Sequence, residues 1–137
     1  MLKSNFKFFS LLFISAAIIS QSYSADDSKK IDIADSAFKC ITEFAASGAF
    51  FVDNLLGDLD ATLEVAASSA GGAFPAGSLL SLVPNEVMIK HREGWNPATN
   101  DWEFFLLDVS AQGTSIIARG GEEVSNSAGS CFGCHQL

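Results

Sequence analysis

The hydrophobic period of this chain changes at Phe74-Pro75-Ala76-Gly77, and that change constrains the fold more than any other feature. Before it, Ile31, Ala34, Phe38, Ile41 and Ala45 recur at helical spacing, with Ala37 and Phe44 flanking the stripe. After Gly48 the pattern returns in Val52, Leu55, Leu56, Leu59, Leu63 and Ala66. Such stripes predict two or three amphipathic helices that bury one face each. Gly57-Asp58 interrupts the second stripe, and Asp58 or Asp60 can cap a fresh start there. Gly71-Gly72 closes the helical half.

Beyond the change, alternation takes over. Ser78 to Val83 is a short apolar run, and Pro84-Asn85 is a turn. Glu86 to His91 puts Val87, Ile89 and His91 on one face and Met88 and Lys90 on the other. Asp101 to Val109 sets Trp102, Phe104 and Leu106 opposite Phe105 and Leu107. Ala111-Gln112-Gly113 is a hairpin loop, and Thr114 to Arg119 is the return strand. The expected fold class is α+β: N-terminal helices packed on a four- to five-stranded antiparallel sheet in meander order. Glu122 to Ser130 is polar and rich in Ser and Gly, which predicts a loop.

Residues 1–24 read as a secretory signal peptide, and residues 25–137 as a single domain. Lys3 and Lys7 form a positive start, Phe8 to Ile19 is an apolar run, and Ser22-Tyr23-Ser24 offers small residues for cleavage. The run is short for a membrane span. Removing it takes two lysines away and deepens a formal net charge of −8. A chain so acidic is not expected to bind nucleic acid. The expected mature product is periplasmic and free of the membrane, in a compartment that permits thiol oxidation.

Cys131-Phe132-Gly133-Cys134-His135 carries the chemistry. C-x-x-C-H is the attachment sequence of c-type haem. Two thiols three positions apart on a tight turn each reach a vinyl group on one porphyrin edge. The adjacent His135 then lies under the iron and supplies the proximal imidazole. The reading is one haem c per chain, bound by Cys131, Cys134 and His135, with His135 on the metal. Two alternatives stay open. A zinc site could use the same three residues with His91 as a fourth ligand. A redox dithiol would need a helix to lower the thiolate pKa. Cys40, between Phe38 and Ile41, is expected to be a buried apolar thiol.

The sixth iron position separates electron transfer from small-molecule binding. Met88 and His91 are its candidates, although core packing is the simpler reading of both. Phe74, Trp95, Trp102, Phe104 and Phe105 are expected to build apolar walls, which favours five-coordinate iron that binds NO or CO.

With these residues in view, the mature chain resembles the cytochrome P-460 family, which includes the beta-type cytochromes c-prime. The resemblance spans about Phe50 to His135. It rests on Phe51-Val52-Asp53-Asn54-Leu55-Leu56-Gly57-Asp58-Leu59, on Phe74-Pro75-Ala76-Gly77-Ser78, and on Val87-Met88-Ile89-Lys90-His91. It continues through Gly94-Trp95-Asn96-Pro97 and Asp101-Trp102-Glu103-Phe104-Phe105 to the terminal C-x-x-C-H. The resemblance implies an antiparallel sheet with helices packed on it and a haem against the sheet. Members that oxidise hydroxylamine carry a lysine cross-linked to the porphyrin in the strand after the Phe74 turn. Leu82 stands at that position, between Ser81 and Val83, and Lys90 belongs to the next strand. The expected function is therefore that of an exported monohaem cytochrome binding NO or CO or transferring single electrons. Oxidation of hydroxylamine or NO and a haem-free dithiol oxidoreductase are the alternatives. The expected partners are a small gas or a redox protein, with a homodimer as a further option.

Overall fold

The computed structural model describes residues 25–83 and 85–135. The signal peptide expected over residues 1–24 lies outside them. Six strands form one antiparallel meander: β1 (Ala45–Ser47), β2 (Phe50–Asn54), β3 (Ser78–Leu82), β4 (Glu86–Lys90), β5 (Trp102–Ser110) and β6 (Gly113–Gly120). The α+β class and the meander order agree with the sequence reading, and the sheet is wider than the four or five strands expected. The alternating patterns of residues 78–119 become strands because each sets one apolar row on either side of the pleat.

Helix is scarcer than the sequence periodicity suggests. Residues 31–44 do not form an amphipathic helix; they run as an irregular segment with 3-10 turns at Asp35–Ala37 and Ile41–Glu43, and Ala45 opens β1. Ile31 and Ile33, two apart, are both buried, as an extended segment laid on a surface requires. The second stripe splits. Its start, with Val52, is strand β2, and only α1 (Leu59–Ala67) is helical, with Asp58 at its N-cap position. Aromatic and β-branched residues at Phe50-Phe51-Val52 suit a pleated surface, and pairing with β1 and β3 overrides local helical spacing.

The two sides of the sheet carry different loads. On one side Leu79, Val87, Ile89, Phe105 and Leu107 pack beneath Ile31, Ile33, Phe38 and Phe44 of the N-terminal segment. Each such side chain contributes about 1.5–3 kcal/mol by leaving water. Phe38 meets Phe105 with ring centroids 5.4 Å apart. Long-range polar contacts fasten the segment: Lys39 pairs with Asp53 at 2.7 Å, and Ile116 N–H donates to the Asp35 carboxylate at 3.0 Å.

At the end of this side where β5 begins sits an ion cluster built on the buried carboxylate of Glu103. Arg119 donates from Nε and Nη2 to the two oxygens of Glu103, at 2.8 and 2.9 Å, and from Nη1 to the Ile33 carbonyl at 2.8 Å. His91, fully buried, lies 2.7 Å from Glu103 through Nε2 and accepts from Ile31 N–H at Nδ1, 2.8 Å away. Burial pushes the Glu103 carboxyl up. Hydrogen bonds from His91 and Arg119, with the charges of Arg119 and Lys30, overcome that and hold its pKa down at about 2.

The opposite side is covered at one end by α1. Thr62 accepts from the Asn54 amide at 3.0 Å and shares a 3.0 Å hydrogen bond with Ser78. Gly77, at φ +87, lets this turn close, since a Cβ there would stand 2.7 Å from Asn54 Oδ1. The other end of that side is left to the chain's last segment. Among the described residues no helix is long and apolar enough to cross a membrane.

Candidate functional site

The segment expected to be a loop after Glu122 contains a two-stranded hairpin, β7 (Ser125–Asn126) and β8 (Gly129–Ser130). Asn126 builds its turn, because its side-chain oxygen accepts from the backbone N–H of Ala128 and Gly129 at 2.7 and 3.1 Å. Its amide donates to the carboxylate of Glu86, which ties the hairpin to the first residue of β4. The hairpin leads into a short helix, α2 (Cys131–His135). Ser130 caps it, accepting from Gly133 N–H at 3.1 Å, and Cys131 N–H donates back to the Val124 carbonyl at 3.0 Å. The motif therefore sits on one helical turn.

That turn brings Cys131, Cys134 and His135 to the same cavity, about 360 Å³ in volume. Phe50, Leu80, Leu82, Met88 and Phe104 supply apolar wall, and Glu86 and Asn126 supply polar rim. Register explains the wall: Leu80 pairs with Met88, and Met88 with Phe104, so the three project together from neighbouring strands. The His135 ring lies 5.6 Å from that of Phe104. Both also border a second cleft of about 500 Å³ beside Asn100, Trp102 and Phe132.

None of the three cysteines pairs with another in a disulfide. Burial first of all, and then the charge of Glu86, push the Cys131 thiol up. A redox dithiol needs the reverse shift in its nucleophile. The zinc arrangement does not assemble: His91 is on the far side of the sheet with both ring nitrogens engaged. Among the described residues no group of three His, Cys, Asp or Glu gathers as a metal cage. Two thiols and an imidazole on one turn, open to an apolar hollow, do fit a flat macrocycle tethered at its edge and ligated at its centre.

Other sequence expectations fare differently. Met88 lines the cavity, half-buried. Trp102 borders the neighbouring cleft, and Phe74 stands edge-on to it at 5.5 Å. Phe105 borders the cavity, although its ring packs on Phe38 in the core. Trp95 is no wall residue; its ring centroid lies 4.1 Å from that of His91 on the packed side. Leu82 is at the cavity rim, half-exposed. Cys40 is exposed rather than buried, because its segment is not a helix and the residue falls at the start of a 3-10 turn. The Thr42 hydroxyl donates to its sulfur at 3.2 Å, and that hydrogen bond is the main reason its pKa is lowered. Phe50, Leu80, Glu86 and Asn126 were not singled out by sequence. Alternation along β4 holds the signal for Glu86, which shares a face with Met88. Searches against models of protein families, curated proteins and solved structures find no match for this chain.

Proposed function

We propose that this chain is an exported monohaem c-type cytochrome of the kind its resemblance to the cytochrome P-460 family implies, binding NO or CO or passing single electrons. The observation that carries the reading is the convergence of Cys131, Cys134 and His135 on one apolar-walled cavity. Cys131, Cys134 and His135 would hold a haem c, which when bound would supply diatomic-ligand binding and one-electron chemistry.

The chain's own residues do the rest. Ser130 and Asn126 fix the turn that presents the ligands. Leu80, Met88 and Phe104 make the wall apolar, and an apolar wall favours small uncharged gases over anions.

Protein produced with haem-attachment machinery should weigh more than its chain by one porphyrin and give a haem c pyridine haemochrome spectrum. Cys131→Ser combined with Cys134→Ser should abolish both signals. A clear CO difference spectrum then marks the gas-binding form, whereas CO-silent ferrous protein indicates electron transfer. Correctly exported protein that weighs only its bare chain rejects the proposal.

A further inference from the structure

The six strands carry two basic residues, Arg119 and Lys90. Arg119 is committed to Glu103 on the packed side. Lys90 pairs with Trp102 at the end of β4, and its register with Met88 puts it on the cavity side. It is half-buried, and desolvation lowers its pKa against the opposing charges of Asp101 and Glu93. Its ammonium donates to the Asn100 carbonyl and lies 5.6 Å from the Trp102 ring centroid. Among the described residues, no carboxylate lies within ion-pair distance of it.

The placement of this cation along β4 is informative. Glu86, at the start of the strand, acts on Cys131. Met88, in the middle, lines the cavity wall. Lys90 is four residues beyond Glu86, about 13 Å along an extended strand. Its neighbours Asn100 and Trp102 border the second cleft, which shares Phe104 and His135 with the cavity. A haem fixed by its vinyl edge carries both propionates on the opposite edge. We propose that Lys90 is the partner of a haem propionate, pairing with its carboxylate at the end of the site remote from Cys131 and Cys134. This inference rests on the haem reading above.

Lys90→Gln and Lys90→Arg, made in the haem-loaded protein, test it. Mass spectrometry is read first, because absence of porphyrin from the unaltered protein refutes the haem reading itself. With haem present, Lys90→Gln should raise the pH midpoint of the propionate-linked change in the ferric Soret band by about one unit or more. It should also shift the propionate bending mode in resonance Raman spectra and lower the reduction midpoint. Lys90→Arg should restore all three. Lys39→Gln, a control that removes an equal charge from the packed side, should move none of them. A loaded, folded Lys90→Gln protein whose Soret midpoint and Raman mode match the unaltered protein overturns the assignment. If Lys90→Gln fails to load or fold, the Lys90→Arg protein decides. Its retention of both signals supports the pairing, and their loss refutes it.

Discussion

The two sides of the sheet are built to different standards. The side under the N-terminal segment is closed: large side chains interlock, and the carboxylate of Glu103 is engaged by His91 and Arg119. The side facing α2 is open: Leu80, Met88 and Phe104 line a hollow, and Leu82 is half-exposed at its rim. A chain this size gains its stability from a single core. The contrast shows that one side supplies that core, so the other can leave apolar surface free for a ligand. Substitutions on the two sides should separate loss of stability from changes at the cavity.

The largest effect is expected from Phe105→Ala, which empties the middle of the closed side. Urea unfolding should register a loss of about 3–5 kcal/mol. A loss below about 1 kcal/mol would mean that this side is not the core. Next is Glu103→Gln, which leaves Arg119 and His91 without their anion and should cost about 3 kcal/mol. The same group sets an acid dependence. Its pKa is held below the ordinary 4.5, at about 2, so its pairing stabilises fully above the ordinary value. That contribution is withdrawn as the pH falls from about 5 toward 2. Unfolding free energy measured across this window should decline more steeply in the unaltered protein than in Glu103→Gln; parallel curves would refute the linkage. The smallest change is expected on the open side. Met88→Leu conserves volume and should shift stability by less than about 1.5 kcal/mol. If the loaded protein then gains CO binding that it lacked, Met88 had been occupying the iron's sixth position.

The sheet from Ser78 to Arg119 was legible because alternation survives on both sides of each strand. The N-terminal segment misled for a physical reason. Ile31, Ala34, Phe38 and Ile41 have helical spacing, but their conformation is set by distant partners. His91 Nδ1 accepts from Ile31 N–H, Arg119 donates to the Ile33 carbonyl, and Asp53 draws in Lys39. Such contacts leave no trace in a local window. That Cys131, Cys134 and His135 face one cavity was foreseeable, because residues three and four apart on a single helical turn point the same way. The cavity's wall was only partly so: Phe104 was expected, whereas Leu80 and Phe50 belong to strands whose neighbours are known only once register is set.

The pairing of β5 with β6 slips between Leu106 and Leu107. Upstream of it, consecutive residues of β4 and β5 serve opposite masters, hollow and core in strict turn. One residue inserted there would exchange the two sets along the rest of the strand and disable both. Leu107 and Ile116, just past the slip, still pack in the core; beyond them, toward Ser110 and Gly113, the pairing borders neither hollow nor core, and a length change costs only the exposed hairpin. The molecule thus has a hard end and a forgiving end, and variation in chain length should accumulate at the Ala111–Gln112 tip.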